Sequence, residues 1–479
     1  MEQYVFSKEI AKALKDLGYE TLTQVQQEVI PLVFNKQDVI VQSETGSGKT
    51  AAFAIPICEK IEIEQRNPQV LVLTPTRELA LQLKQEISNI GRFKKVRCAA
   101  VFGRQRMELQ KNELKQRVHV IVGTPGRTLD HIERENINLA EIKYLIIDEA
   151  DKMLDMGFIE QVEAIVKGLP ENRVTLLFSA TMADKIARIC ERYMKSPVKI
   201  EVDAETSTLE NIWQAYYEID ESDKFPLITK IIYMERPESC IIFCNTRDKV
   251  ESVFVKMKQK GYACVILHGG MDQKDRLNSI QDFKRGKFQF LIATDVAARG
   301  IHIDNISLVI NYDMPLDNES YVHRIGRTGR AGSIGAAVTL VTKNEYRALR
   351  EIEEFIQYKI PKQSQPSEEE VERAKLTFTD NDTFKPKLKI DKSTQLNKQI
   401  TRIRINAGKK TKMRPGDILG AITAIDGIRG EDIGIIDIQD TCSYVEILGN
   451  KGSVVKEALQ STKIKGKIHT IKEVGFSNR

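Results

Sequence analysis

Short, wholly apolar runs alternate along this chain with helix-length amphipathic stretches, and the series occurs twice. The first set is DVIVQS (38–43), VLVLTP (70–75), VHVIVGTP (118–125), YLIIDEAD (144–151) and TLLFSAT (175–181). The second is SCIIFCN (239–245), ACVILHGG (263–270), FLIATD (290–295), LVINYD (308–313) and AAVTLVT (336–342). A run that is apolar at every position is buried on both faces, as parallel strands sandwiched between helices are. Each set therefore predicts a doubly wound α/β domain, the first over 1–205 and the second over 206–360. The opening MEQYVFSKEIAKALKDLG predicts an amphipathic helix and lacks the basic-then-apolar export pattern.

From 361 the pattern lapses. Residues 361–403, rich in charged and hydroxyl side chains, read as a linker carrying at most one helix. Order returns at the domain expected over 404–479, read as TRIRINAG (strand, from 401), RPGDILGAITAI (helix), IGIIDIQD and SYVEIL (strands), KGSVVKEALQ (helix) and KIHTIKEV (strand). That β-α-β-β-α-β order predicts a small antiparallel sheet backed by two helices.

Composition narrows the class. The 479 residues suit about three domains at ~150 residues each. No apolar run is long enough to span a bilayer, so a cytoplasmic protein without membrane contact is expected. The seven cysteines contain no CxxC pair, which argues against a zinc site and a disulfide framework. The net charge of +5 is small. Its placement is more telling: residues 404–479 carry 13 Lys and Arg against 9 Asp and Glu, most of the excess.

Two motifs carry chemistry. Ser43-Glu44-Thr45-Gly46-Ser47-Gly48-Lys49-Thr50 follows a predicted strand and opens a helix. Glycines there let backbone N–H groups approach a phosphate, Lys49 supplies a cation to the β/γ oxygens, and Thr50 a hydroxyl to Mg²⁺. A strict phosphate loop has glycine in place of Ser43. About 100 residues on, Asp148-Glu149-Ala150-Asp151 ends another buried strand, at the edge where α/β sheets bind ligands. Asp148 is expected to hold Mg²⁺ and Glu149 to orient the attacking water.

With these motifs, residues 1–360 resemble the DEAD-box ATP-dependent RNA helicases, whose fold is two tandem RecA-like domains. Gly18-Tyr19 and Thr23 to Gln26 resemble the adenine-reading segment. The resemblance implies that Tyr19 stacks on the base and Gln26 bonds its edge; Leu22 replaces a usual proline, and Tyr4 and Phe6 are both near the place of an upstream aromatic. Pro75, Thr76, Arg77, Gly103, Thr124, Gly126 and Arg127 fall in motifs that contact RNA, although Arg104 stands where a second glycine is usual. Ser179-Ala180-Thr181 resembles the motif that couples hydrolysis to strand separation. In the second domain Gln273, Arg276 and Thr294 match RNA-contacting positions. The stretch His323-Arg324-Ile325-Gly326-Arg327-Thr328-Gly329-Arg330 implies that Arg327 and Arg330 are arginine fingers. His302 replaces a usual aspartate.

The tail resembles the RNA-recognition-motif-like domain of the DbpA-type branch, with Arg404, Lys409, Lys410 and Lys412 as candidate phosphate contacts. Only Tyr444 could stack on a base from the sheet. The resemblance implies an ATP- and Mg²⁺-dependent RNA helicase that works as a monomer, locally rather than processively. Its implied partners are a 23S rRNA hairpin near the peptidyl-transferase centre and the pre-50S particle. An ATP-gated RNA clamp with incidental unwinding is the alternative, and a DNA helicase is a third.

Overall fold

The computed structural model describes residues 5–43, 47–201, 211–298, 303, 306–329, 334–376, 388 and 393–475. The first domain is a seven-stranded sheet in the order β3-β4-β2-β5-β6-β1-β7. Its strands are β1 Val39–Gln42, β2 Val70–Leu73, β3 Cys98–Val101, β4 Val120–Gly123, β5 Tyr144–Ile147, β6 Val174–Ser179 and β7 Val198–Glu201. All the registers among β1 to β6 are parallel. The apolar runs are buried along their length, because helices cover both faces. β3 is an addition to the expected set: Cys-Ala-Ala-Val lacks the β-branched run that marks its neighbours, and it sits at the sheet edge.

The second domain has six strands in the order β10-β11-β9-β12-β13-β8. They are β8 Ile212–Glu218, β9 Cys240–Phe243, β10 Cys264–Leu267, β11 Phe290–Ala293, β12 Leu308–Asn311 and β13 Gly335–Val341. β8, IWQAYYE, is also beyond the expected set; it mixes polar and aromatic residues because it lies at the edge. Part of the stretch read as linker belongs to this domain. The Tyr216 N–H donates to the Pro361 carbonyl (3.0 Å), and the Gln363 N–H donates to the Tyr216 carbonyl (2.9 Å). The helix Glu368–Leu376 then packs on the helix Lys224–Glu235, with Val371 buried and Lys230 paired to Glu368 at 2.6 Å.

The tail forms the four-stranded antiparallel sheet β15-β16-β14-β17, from β14 Thr401–Ile405, β15 Ile433–Ile438, β16 Ser443–Ile447 and β17 Ile471–Glu473. Helices Pro415–Thr423 and Gly452–Ser461 cover one face, burying Ile403, Ile405, Val445 and Ile447 with Ile418, Ile422, Val455 and Leu459. By contacts the tail shares a compact unit with the first domain, and the second domain forms another. All seven cysteines are free and buried. Among the described residues no helix is long and apolar enough to cross a membrane.

Candidate functional site

The first domain gathers its chemistry at the C-terminal ends of its central strands. β1 leads into Ser43, whose hydroxyl lies 3.2 Å from that of Ser47. Glu44, Thr45 and Gly46 lie outside the described residues. Gly48 has φ +89°, a backbone state that favours glycine. A Cβ there would also fall 2.6 Å from Gln26 Nε2 and 2.9 Å from Thr23 Oγ1. The approach is close because Gln26 Nε2 donates to the Gly48 carbonyl (3.2 Å), while its Oε1 accepts from the Thr23 N–H (3.1 Å). Gln26 therefore joins the segment around Thr23 to the loop that ends at Lys49. Its second amide proton and second lone pair still leave it able to read a base edge.

Tyr19 is half-buried, and its hydroxyl bonds the Glu86 side chain; burial first, then Glu86, raises its pKa. Phe6 packs on Phe34 with ring centroids 6.4 Å apart, and Tyr4 lies outside the described residues.

Lys49 opens the helix Lys49–Lys60 and is buried, with half-buried Thr50 after it. Burial pulls the Lys49 ammonium below the ordinary lysine value, and the charges of Asp148 and Glu149 oppose that shift. Asp148 follows β5 and is buried; its N–H donates to the Leu73 carbonyl at 2.9 Å. Glu149 is buried with φ +54° and ψ +53°, a conformation that costs a non-glycine residue about 1–3 kcal/mol. Lys152 Nζ lies 2.5 Å from Glu149 Oε1 and holds that carboxylate. Asp151 ties this turn to the end of β6. Its N–H donates to Ser179 Oγ (3.2 Å), its Oδ2 accepts from the Ala180 N–H (3.0 Å), and Ser179 Oγ donates to the Thr181 carbonyl (2.6 Å). A change at the carboxylates thus has a hydrogen-bonded route to the Ser179–Thr181 segment.

A second cluster forms at the ends of β2, β3 and β4. Thr76 caps the helix Arg77–Ile90, accepting from the Leu79 N–H (3.3 Å), and Pro75 before it is buried. The Arg77 guanidinium lies beside Gly103, where a Cβ would sit 3.5 Å from its Nη2. Thr124 precedes the helix Pro125–Glu133, and exposed Gly126 has nothing within 4 Å of where its Cβ would be. Two helix N-termini and an arginine converging in this way suit a phosphate backbone. Arg127 differs from the others: its Nη1 donates to the Gln105 carbonyl (2.9 Å) and Gln110 Oε1 (3.1 Å), so it braces the loop that follows Gly103.

The second domain repeats this cluster. Thr246 caps the helix Arg247–Gln259, accepting from the Lys249 N–H (3.2 Å), and a Cβ on Gly270 would sit 2.9 Å from Arg247 Nη1. Thr294 closes β11 and accepts from the Ala297 and Ala298 N–H groups. Gln273 begins the helix Gln273–Lys284, and Arg276 Nη2 donates to the Ala297 carbonyl (2.6 Å). Thr246, Arg247 and Gly270 went unmarked in the sequence, although each follows an apolar run as Thr76, Arg77 and Gly103 do. Arg324 is also more than part of a motif. Only 1% exposed, it reaches Asp295, Asn245, Asn311 and the Asp313 carbonyl. Arg327 is buried, its carbonyl accepting from the Ile306 N–H (3.2 Å); Arg330 and His302 lie outside the described residues.

In the tail, Arg404 is half-buried on β14, whereas Lys409, Lys410 and Lys412 are exposed in the loop after it. Lys465, from the loop before β17, donates to the Lys412 carbonyl at 2.6 Å. The lysines of these two loops therefore form one rim, with Lys463 and Lys467 also exposed.

A phosphate loop with paired carboxylates, two nucleic-acid clusters on duplicated sheets and a basic accessory domain define an ATP-dependent nucleic-acid motor. Family models agree along the chain: DEAD/DEAH box helicase over 23–189, helicase conserved C-terminal domain over 223–332, and DbpA RNA binding domain over 402–473. The chain is 51% identical to the ATP-dependent RNA helicase DbpA of Bacillus subtilis over 97% of each protein. It is 46% identical to the DEAD-box ATP-dependent RNA helicase CshA of Geobacillus kaustophilus, over 76% of this chain and 78% of that one. The structure of S. cerevisiae Dbp5 bound to RNA and ADP BeF3 matches with a TM-score of 0.68 and 31% identity, covering 78% of this chain and 97% of that one. The chain belongs to the DEAD-box ATP-dependent RNA helicases of the DbpA type.

Proposed function

We propose that this RNA helicase acts on 23S rRNA during assembly of the large ribosomal subunit, guided by its tail to a hairpin near the peptidyl-transferase centre. The observation that carries the reading is the tail itself: a DbpA RNA binding domain at 402–473, with Lys409, Lys410 and Lys412 exposed beside Lys465. Lysines on a rim grip phosphate and set position, which suits a domain that delivers a non-specific motor to one RNA.

In the motor, Lys49 is assigned to the β/γ phosphates and Glu149 to the attacking water. Thr50 and Asp148 offer a hydroxyl and a carboxylate, oxygen donors that fit Mg²⁺ when nucleotide phosphates and water complete its shell. Bound there, Mg²⁺ would offset charge on the phosphates. Arg327 and Arg330 are the proposed cations for charge developing on the γ-phosphate. Ser179 and Thr181, tied to Asp151, are the proposed link from hydrolysis to strand separation.

The test compares the full chain with a form lacking residues 393–479, a cut placed before β14 so that no strand is divided. Hairpin affinity and hairpin-stimulated ATP turnover should both fall at least tenfold in ~0.1 M salt, where phosphate contacts dominate. Equal affinity with and without the tail would defeat the targeting proposal.

A further inference from the structure

We infer that the outer face of the tail's sheet is an intramolecular docking surface for the first domain, and that RNA does not occupy it. Strand register defines this face. Arg402 pairs with Glu446 and Arg404 with Tyr444, while Ile403, Ile405, Val445 and Ile447 point into the tail's own core. A polar face opposite the covering helices should lie open to water. Here Arg402 is 3% exposed and Glu446 5%.

The first domain covers them. Arg92, just beyond the helix Arg77–Ile90, places Nε 3.2 Å from Glu446 Oε2, both side chains being at most 10% exposed. Arg92 Nη2 lies 3.5 Å from Asn397 Oδ1. Lys95 Nζ donates to the Gly430 carbonyl (3.0 Å) and Gln116 Nε2 to the Ile438 carbonyl (3.4 Å). Between the two domains, the helix Ser393–Lys398 packs on the helix Lys8–Asp16 and buries Leu396 completely.

Two arguments assign this face to docking. Moving either member of a buried ion pair away leaves the other charge uncompensated, so Arg92–Glu446 favours one seating of the tail. The face is also poorly suited to stacking bases. Tyr444 is the only aromatic on the four strands, and Arg402 lies over its ring at 4.4 Å. The basic rim is at the end of the sheet where Ile405 pairs with Ile471, and Arg402–Glu446 is toward the other end. The first domain also reaches the rim's end of the sheet, through Gln116 at Ile438, yet Lys409, Lys410 and Lys412 stay exposed.

The experiment uses the full chain with dyes on two exposed positions, Glu108→Cys and Ser453→Cys; all the native cysteines are buried. Single-molecule energy transfer should give one narrow docked population. Arg92→Glu should shift the docked-to-released ratio by roughly a hundredfold, as loss of a buried ion pair does. Glu446→Gln should shift it by roughly tenfold, and adding it to Arg92→Glu should cause little further loss. Adding the 23S hairpin to the unmodified chain should leave the docked population in place. The inference is overturned if the starting population is broad, if Arg92→Glu leaves it narrow, or if the hairpin disperses it. The hairpin arm rests on the proposed function. Absence of hairpin binding by anisotropy would count against that function, and the two substitutions would still decide the docking.

Discussion

The two sheets of the motor are copies in topology, and one pair of residues shows how they diverged. β3-β4-β2-β5-β6-β1 in the first domain corresponds in order to β10-β11-β9-β12-β13-β8 in the second. After β1 a glycine-containing loop leads to Lys49, the first residue of its helix, and Asp148 follows β5. After β8 a short turn leads to Lys224, again the first residue of its helix, and Asp313 lies beyond β12. In the second domain the lysine is consumed internally. Lys224, 1% exposed, lies 2.8 Å from Glu221 Oε2 and 3.6 Å from Asp313 Oδ1. Arg324 occupies the neighbouring strand ends. The scaffold alone therefore does not make a nucleotide site. The loop between first strand and first helix decides whether the lysine lies at the proposed phosphate site or against a glutamate.

The sharpest test of that contrast exchanges chemistry for stability. Lys49→Ala should cut RNA-stimulated ATP turnover by ~10³-fold and leave the melting of the chain nearly unchanged. Lys224→Ala should instead destabilise the second domain by about 3 kcal/mol, because it strips a buried cation from Asp313 and Glu221. Steady-state turnover and calorimetry on both variants check this, and a reversed pattern would break the comparison. Arg324→Ala should cost the second domain about 3–4 kcal/mol, read by denaturant unfolding. Arg324→Lys should fail to restore it, since an ammonium cannot meet the same spread of acceptors.

A smaller effect is expected at the link that the first domain has between Asp151 and Ser179. Ser179→Ala removes two hydrogen bonds worth about 1 kcal/mol each. It should lower strand displacement roughly tenfold more than ATP turnover, and equal losses would count against coupling through this contact.

The smallest effect concerns pH and is confined to the first domain. His119 is buried, accepts from the Arg97 N–H at 2.9 Å, and has its pKa lowered to about 4, chiefly by burial. The unfolded chain then binds more protons between roughly pH 6.5 and 4, so stability should rise with pH across that window. The contribution is complete above pH ~6.5 and is lost as pH falls toward 4. Thermal melting at pH 7 and 5 should show a smaller drop for His119→Gln than for the unmodified chain.

Much of this was legible in the sequence because buried parallel strands leave uninterrupted apolar runs. Two edge strands were not. β3 uses small residues in place of β-branched ones and β8 mixes polar with aromatic residues, so neither stands out as its neighbours do. At the site, Lys49, Asp148 and Glu149 were legible because local spacing marks them. Arg247 and Gly270 were not, since their kinship with Arg77 and Gly103 appears only when the strands are overlaid. Arg127 reads locally as an RNA contact, but its guanidinium is committed to Gln105 and Gln110, which no local pattern reveals. On the tail, the alternation Arg402, Arg404 and Tyr444, Glu446 marks a polar face. Its burial depends on Arg92, some 310 residues earlier in the chain.

The pairing of Pro361 and Gln363 with Tyr216 has a practical outcome. β8 ends its sheet, and an unprotected edge offers a row of backbone groups to any other extended chain. Residues 361–363 occupy part of that row, and Pro361, having no N–H of its own, cannot pass a donor on to a newcomer. A motor trimmed at residue 360 would be left with sticky β8 edges, and its first symptom would be turbidity on concentration while its ATP chemistry was still intact.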